Sequence, residues 1–273
     1  MDVPVFSISA NPSCMYMTKA LQEATVRFRR AIARKQGLCC ILGDNGLGKS
    51  SLLKFFASGY ETDETCSVSY FSDSRKFKTG FEFLKMISAD LEITPRRSQS
   101  AQMEAIEEFL VQNHRAGKST LIFIDEAQRM NLGQLELVRA MLNYETDTDK
   151  LVQFVLSGQL NLRDRLLQPD HKAIRSRIVA PYLMTPLATE ETIAMIQFRL
   201  DAWGVQNPFS REAMFRVHEL TGGVPRDILL LCQAAYDKAA DDQRAVVTPA
   251  DVESASQLME IRDRDREYAA ALS

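Results

Sequence analysis

The sequence lacks the features that mark membrane-spanning, secreted and disulfide-bonded proteins. None of its apolar runs approaches the roughly 18 residues that a membrane-spanning helix needs, and its first 30 residues contain no signal-peptide core. The five cysteines are odd in number and show no CxxC spacing, which argues against a disulfide framework and a structural metal site. Internal repeats and low-complexity segments are also missing. We therefore expect a globular protein of the cytoplasm with no membrane partner.

Charge is distributed unevenly along the 273 residues. The formal net charge of −3 argues against a wholly basic nucleic-acid coat protein, but residues 1–180 carry +3 and residues 181–273 carry −6. Because positive charge attracts polyanions, we expect any polyanionic partner to contact the first part of the chain.

Strands and helices are expected to alternate over the first 160 or so residues. Continuous apolar runs are typical of strands that are buried on both faces of a parallel sheet. The expected strands cover 37–43, 67–71, 120–124 and 151–157. The expected helices cover approximately 17–35, 50–58, 80–91, 101–115 and 132–143. This alternation predicts an α/β doubly wound fold with a parallel sheet.

Beyond Pro186 the pattern contains helices only. They are expected over 189–203, 210–220, 225–240 and 248–266. Thr189 and Ser210 are the expected N-caps of the first two, and Thr248 followed by Pro249 starts the last. The expected domains are an α/β core over 1–185, a small helical domain over 186–255 and a charged helical tail over 256–273. Alternating charges within the tail fit either an exposed helix end or a site that recruits a partner.

A glycine-rich motif follows the first expected strand. Residues 43–50 read GDNGLGKS and match GxxxxGK followed by Ser or Thr at every fixed position. Backbone N–H groups in such a turn surround phosphates, Lys49 can reach the β- and γ-phosphates, and the Ser50 hydroxyl can ligate Mg²⁺. ATP and Mg²⁺ are therefore the expected cofactors. The expected nucleotide-binding residues are Gly43, Asp44, Asn45, Gly46, Leu47, Gly48, Lys49, Ser50 and Ser51.

Two carboxylates, Asp125 and Glu126, follow the apolar strand 120–124 directly. In P-loop proteins the first carboxylate after such a strand holds Mg²⁺, so Ser50 and Asp125 are the expected metal-side residues. The second carboxylate is placed to orient the attacking water, so we expect Glu126 to be the general base.

Five further polar residues are candidates for sensing or stabilising the phosphates. Ser157 and Gln159 end the next strand, beside the expected γ-phosphate, although plain strand-end polarity explains them equally well. Arg175 and Arg177 are candidates for an arginine finger that acts on a neighbouring subunit, or else form a surface charge pair. Arg226 follows a Gly-Gly-x-Pro turn, from which it can reach the nucleotide or pack on its own domain.

Together these motifs resemble the AAA+ superfamily over about residues 5–255, in particular the ExeA/GspA-type ATPases. The resemblance rests on residues 125–128, 142–147, 156–163, 174–178 and 223–226, which read DEAQ, LNYETD, LSGQLNLR, IRSRI and GVPR. It implies that Asp125-Glu126 is the Walker B pair, that the finger is Arg175 or Arg177 and that Arg226 is sensor 2. It also implies that residues 6–16, with Asn11-Pro12, line the adenine pocket.

The same ATPase module is similar to the AAA+ regulators of DNA transposition, the TnsC, MuB and IstB group. In those regulators two loops line a DNA channel, and basic residues occur here at matching positions. The expected DNA-binding residues are Arg75, Lys76, Lys78 and the neighbouring Thr79 in one loop, and Arg96 and Arg97 in the other. Cations at such places neutralise phosphates without reading bases, although the loops also fit a plain solvated surface.

We therefore expect a homo-oligomeric ring or filament that binds double-stranded DNA and regulates transposition, with a transposase as one recruited partner. A secretion-assembly ATPase of the ExeA/GspA kind, without DNA binding, is the first alternative. Such an ATPase is expected to continue into a membrane helix and a wall-binding domain, and the sequence stops at residue 273 without either. A replication helicase loader or initiator is the second alternative.

Overall fold

The computed structural model describes residues 5–9, 14–74 and 77–258. By its contacts the chain divides into two compact units. The sheet unit comprises Lys19–Asn45 and Lys49–Met184. The helical unit comprises the described residues of Met1–Thr18, Gly46–Gly48 and Thr185–Ser273.

A five-stranded parallel sheet forms the centre of the sheet unit. Its strands are β1 (Leu38–Leu42), β2 (Cys66–Phe71), β3 (Ser119–Ile124), β4 (Val152–Gly158) and β5 (Ile178–Leu183). Their order across the sheet is β2-β3-β4-β1-β5, and each neighbouring pair is parallel. Strands β1 and β4 are buried along their whole length, which explains their continuous apolar runs.

The α/β fold and its parallel sheet are confirmed, and the four expected strands are present with shifts of about one residue at their ends. One strand was missed, because β5 lies at the edge of the sheet. Its exposed positions alternate with partly or fully buried ones, and Pro181 interrupts its apolar run. An edge strand tolerates a proline because the missing N–H would face away from the sheet.

Helices flank the sheet. The sheet unit contains α1 (Lys19–Ala33), α2 (Lys49–Glu61), α3 (Gly80–Asp90), α4 (Gln99–Arg115), α5 (Leu132–Met141), α6 (Leu160–Leu167) and α7 (Lys172–Arg175). Alternate residues of β1, such as Leu38 and Cys40, share a buried cluster with α3, α4 and α5. Phe28 of α1 and Phe56 of α2 pack edge to face at 5.3 Å. The short helices α6 and α7 were not expected from the sequence.

The helical unit contains α8 (Thr189–Ala202), α9 (Arg211–Thr221), α10 (Pro225–Asp241) and α11 (Pro249–Leu258). Ser210 is confirmed as an N-cap, because its hydroxyl accepts the Ala213 N–H. Thr189 is not an N-cap. It is the first residue of α8, and the Ala188 N–H before it donates to the Glu191 carboxylate at 3.0 Å.

The N-terminal segment contributes to the core of the helical unit. Val5 and Phe6 are buried there, and the Phe6 ring meets Phe209 edge to face at 5.7 Å. The contact units thus group residues 5–9 and 14–18 with the helices, whereas the expected division joined them to the α/β core. The expected tail over 256–273 lies outside the described residues beyond position 258. No helix in the described ranges has the length and apolar character of a membrane span.

A glycine pair in the helical unit gives a stability test. Gly223 has φ +75°, and a Cβ there would lie 2.1 Å from the Leu187 carbonyl oxygen, so no side chain fits. Gly222 also has positive φ but open space around it. We expect Gly223→Ala to lower the free energy of unfolding by about 3 kcal/mol or more. Gly222→Ala should lower the free energy of unfolding by only about 1–2 kcal/mol, which is the cost of a left-handed backbone conformation at a residue with a Cβ. Chemical denaturation of both variants measures this difference, and equal losses would contradict the steric argument.

Candidate nucleotide-binding site

The glycine-rich turn connects the buried strand β1 to α2, which begins at Lys49. The Lys49 side chain is only 6% exposed, and its ammonium donates to the Asp44 carbonyl oxygen at 2.8 Å. Burial lowers the pKa of Lys49, while the negative charges of Glu126, Asp125 and Asp44 oppose that shift. A buried cation in this position is stabilised further by phosphate charge, which is the ligand that the motif indicates.

The order of the strands brings the turn close to the carboxylates. Strand β4 lies between β3, which ends before Asp125, and β1, which ends before the turn. Because all three strands are parallel, their carboxyl ends meet at one edge of the sheet. The electrostatic effect of Asp125 and Glu126 on Lys49 is a direct consequence of this arrangement.

Asp125 and Glu126 have different environments. Asp125 is 3% exposed, and its Oδ1 accepts the Glu126 N–H at 2.9 Å. Glu126 has φ +53°, a left-handed conformation that costs a non-glycine residue about 1–3 kcal/mol. The Ser74 hydroxyl donates to the Glu126 carbonyl oxygen at 2.8 Å and so helps to hold this conformation.

The chemistry of the donors fits Mg²⁺ bound together with a nucleotide. Among the described residues, no group of three or more His, Cys, Asp or Glu side chains is placed to hold a metal ion alone. Mg²⁺ commonly takes one or two protein oxygens and completes its coordination with phosphates and water. Ser50, at the start of α2, and Asp125 are the residues that would supply such oxygens.

Ser157 and Gln159 lie at the end of β4. Ser157 is fully buried beside Ile41 of β1, and its hydroxyl has no hydrogen-bond partner among the described residues. The Gln159 backbone N–H donates to the Gln128 side chain at 3.2 Å. The strand order places the end of β4 between the ends of β1 and β3, and the sensing role of both residues stays a prediction.

Arg175 and Arg177 do not lie at the carboxyl ends of the strands, where the phosphate-binding turn and the two carboxylates lie. Arg177 immediately precedes β5, so it lies at the amino end of that strand, and it donates to the Asn143 side chain at 2.9 Å. Arg175 donates to the carbonyl oxygens of Leu166 and Leu167 at the end of α6, at 2.9 and 2.7 Å. A role for either arginine in phosphate chemistry therefore depends on a second subunit.

Arg226 lies in the first turn of α10. Its backbone N–H donates to the Gly46 carbonyl oxygen at 3.1 Å, and both residues belong to the helical unit by their contacts. The Arg226 side chain is exposed. The structure therefore links the turn that carries Arg226 to a residue of the phosphate-binding motif through the backbone.

The two expected basic loops lie close together. Lys78 and Thr79 are exposed, and so are Arg96 and Arg97, whereas Arg75 and Lys76 lie outside the described residues. A Cβ on Gly80, at the start of α3, would lie 3.4 Å from the Gln99 side chain at the start of α4. The residues just before α3 and α4 are therefore neighbours.

The structure also shows polar residues to which the sequence analysis gave no role. Gln128 and Arg129 both donate to the Glu126 carboxylate, at 2.7 and 3.3 Å. Arg165 of α6 donates to the carbonyl oxygens of Gln128 and Met130, both at 2.8 Å. Gln128 stands in the DEAQ motif, but nothing in the spacing of that motif shows which groups its amide contacts.

The fold and these motifs define a P-loop ATPase, and comparison with known proteins identifies the family. Residues 30–166 match the AAA domain family, so the chain belongs to that family. Over 238 residues it is 31% identical to General secretion pathway protein A of Aeromonas hydrophila. The match covers 86% of this chain but only 43% of that protein. The chain is thus an ATPase of the AAA domain family, and it spans less than half the length of the secretion-pathway relative that it matches.

Solved structures confirm the fold. The chain superposes on Cdc6p of Pyrobaculum aerophilum with a TM-score of 0.68 at 18% identity, covering 94% of this chain and 71% of that one. The ORC2 protein of Aeropyrum pernix gives 0.63 at 16% identity, with 93% and 71% covered. RuvB of Thermotoga maritima gives 0.60 at 17% identity, with 90% and 70% covered. At these identities the likeness establishes the fold alone.

The role of Glu126 can be separated from that of Lys49. We expect Glu126→Gln to retain ATP binding but to lower the hydrolysis rate by about 10²–10⁴, because an amide keeps the shape and loses the basicity. Lys49→Ala should instead weaken ATP binding, because a charge on the phosphates is lost. Nucleotide titration and steady-state phosphate release measure both effects. Near wild-type turnover in Glu126→Gln would remove Glu126 from the role of base.

Proposed function

We propose that the protein assembles as a homo-oligomer on duplex DNA in its ATP-bound state and regulates DNA transposition. In this proposal ATP hydrolysis times its release, and the bound oligomer selects a target or recruits a transposase. The observation that carries the proposal is the pair of neighbouring basic loops, with Lys78 and Thr79 before α3 and Arg96 and Arg97 before α4.

The backbones of these loops are fixed while their cationic side chains remain exposed. The Lys78 N–H donates to the Glu82 carboxylate at 2.7 Å, and its carbonyl oxygen accepts from Asn131 at 3.2 Å. Thr79 is the N-cap of α3, and its hydroxyl accepts the Glu82 N–H. A fixed backbone lowers the entropic cost of placing a cation against a phosphate.

The second loop is held in a similar way. The Arg96 N–H donates to the buried Gln102 amide at 2.7 Å, and that amide donates to Ser88 of α3 at 2.7 Å. Cations presented in this way neutralise phosphates without contacting base edges, so DNA binding is expected to be independent of sequence and sensitive to salt. One structural neighbour, RuvB, is described as a Holliday junction branch migration motor.

The nucleotide roles follow from the site. Residues 43–51 hold the phosphates, Ser50 and Asp125 hold Mg²⁺, and Glu126 activates water. Ser157 and Gln159 respond to the γ-phosphate, and Arg226 reports the phosphate state to the helical unit. Because Arg175 and Arg177 are held away from the carboxyl edge of their own sheet, we assign them to the nucleotide of a neighbouring subunit.

A secretion-assembly ATPase without DNA binding is the second candidate. The observation in its favour is the 31% identity to General secretion pathway protein A. The two candidates share the nucleotide chemistry and differ in whether duplex DNA is bound, so DNA binding decides between them.

The assignment of the arginines to a neighbouring subunit can be tested by mixing variants. Arg175→Ala/Arg177→Ala chains and Lys49→Ala chains should each hydrolyse ATP slowly. Mixed oligomers should recover part of the activity, because one type of interface then combines an intact lysine with intact arginines. Phosphate release is measured over a range of mixing ratios, and light scattering confirms that the two chains co-assemble. Co-assembly without any recovery would show that the arginines do not act in trans.

DNA binding is tested with a non-hydrolysable ATP analogue and random-sequence duplex. We expect affinity to fall steeply with salt, and each lost phosphate contact to lower the slope of the log–log plot by about 0.9 per subunit. Lys78→Ala and Arg96→Ala/Arg97→Ala should weaken binding to all sequences equally and leave nucleotide binding intact. Fluorescence anisotropy measures the binding.

The matched control for Lys78→Ala is Lys118→Ala. Lys118 is also exposed but precedes β3, so it lies at the amino ends of the strands, opposite the loop that follows β2. It should leave DNA affinity unchanged. If duplex binding is undetectable at low salt with the analogue present, the secretion-type function is favoured instead.

A further inference from the structure

The side chain of Gln128 connects two separate parts of the site. Its Nε2 donates to Oε2 of Glu126 at 2.7 Å, and its Oε1 accepts the backbone N–H of Gln159 at 3.2 Å. The side chain is 9% exposed, so water does not readily replace either partner. One amide therefore spans from the second residue after β3 to the first residue after β4.

Chemistry fixes the orientation of this amide. The oxygen and nitrogen of a glutamine side chain resemble each other in shape, so the partners must decide which is which. A carboxylate only accepts hydrogen bonds and a backbone N–H only donates them. The nitrogen of Gln128 must therefore face Glu126, and its oxygen must face Gln159.

The surrounding residues are adapted to this contact. A Cβ on Gly158 would lie 3.2 Å from the Gln128 Oε1 and 2.6 Å from a methyl group of Leu162, so a side chain at position 158 would displace the amide. The guanidinium of Arg165 donates to the carbonyl oxygens of Gln128 and Met130 and fixes the backbone of this segment against α6. The position of the amide is thus set from both sides.

Gln128 and Arg129 engage the same carboxylate oxygen of Glu126. Both contacts are made to Oε2, and neither residue contacts Oε1. The Glu126–Arg129 pair is partly exposed, with side chains 28% and 44% accessible, so solvent screens it. Gln128 makes the shorter and more buried of the two contacts, and it therefore dominates the orientation of the carboxylate.

We propose that Gln128 is a positioning residue for ATP hydrolysis, which holds the Glu126 carboxylate in a fixed relation to the end of β4. The proposal rests on the assignment of Glu126 as the general base. A shift of residues 157–159 then moves the Gln128 amide and changes the direction in which the carboxylate faces the attacking water. Hydrolysis is coupled in this way to the strand end that lies beside the phosphate-binding turn.

Gln128→Met tests the proposal, because it keeps the approximate volume and removes both hydrogen-bonding groups. We expect kcat to fall by about 10- to 100-fold, as for other partners that orient a reacting group. The dissociation constant for ATP should stay near that of the wild type, because Gln128 does not belong to the phosphate-binding turn. Single-turnover hydrolysis and nucleotide titration separate the two quantities.

Gln134→Met is the matched control. Gln134 is another buried glutamine of the sheet unit, and its amide also uses both ends, accepting from the Asn131 N–H and donating to the Phe77 carbonyl oxygen. We expect it to lower the melting temperature and leave kcat unchanged. If Gln128→Met retains wild-type kcat, or if the two variants lower kcat equally, Gln128 is not a positioning residue.

Gln128→Glu provides a readout that a purely structural role would not move. It keeps the acceptor for Gln159 but places a second carboxylate against Glu126, and two adjacent carboxylates resist being charged together. kcat should therefore fall at least as far as in Gln128→Met, with the dissociation constant for ATP near that of the wild type, and a wild-type kcat overturns the proposal.

The background variant Glu126→Gln separates this proposal from the assignment of the base. If Glu126→Gln turns over ATP normally, the assignment of the base fails. If Glu126→Gln is inactive and Gln128→Met is normal, only the positioning role fails. In the double variant Gln128→Met should cause no further loss, and an added loss of the same size would show that Gln128 acts elsewhere.

Discussion

The parallel pairing of β4 with both β1 and β3 is the constraint on which the site depends. It brings the end of β1, which leads into the phosphate-binding turn, and the end of β3, which leads into Asp125 and Glu126, to the same edge of the sheet. Residues more than 70 positions apart in the sequence thereby influence one another electrostatically, as the effect of Asp125 and Glu126 on Lys49 shows. The residue that follows β4, Gln159, also supplies the backbone N–H that donates to the Gln128 side chain.

The site holds unfavourable features that are compensated locally. Lys49 is buried with a lowered pKa, and Glu126 adopts a left-handed backbone conformation. Each has a specific support, namely the Asp44 carbonyl oxygen for the ammonium and the Ser74 hydroxyl for the carbonyl oxygen of Glu126. A site arranged in this way is ready for a polyphosphate before it binds, because the cost of burying the cation has been met during folding.

Motifs with fixed spacing were predictable from the sequence, and long-range contacts were not. The phosphate-binding turn and Asp125-Glu126 follow from residue type and neighbouring strands, since each chemical role depends on consecutive residues. Strand β5 was missed because Pro181 interrupts its apolar run, and a proline argues against a central strand. The contact between Gln128 and Gln159 depends on which strands are neighbours. The local hydrophobic pattern of a sequence does not determine the order of strands in a sheet. For the same reason the local pattern did not predict that Phe6 packs in the core of the helical unit.

Arg199 holds the N-terminal segment against α8 within the helical unit. It is 4% exposed on α8, and its guanidinium donates to the carbonyl oxygens of Ser7 and Cys14, on either side of residues 10–13. Burial lowers the pKa of Arg199, so these carbonyl contacts are needed to offset the desolvation of the guanidinium. If residues 6–16 line the adenine pocket, as the family resemblance implies, Arg199 ties that segment to the same unit that carries Arg226.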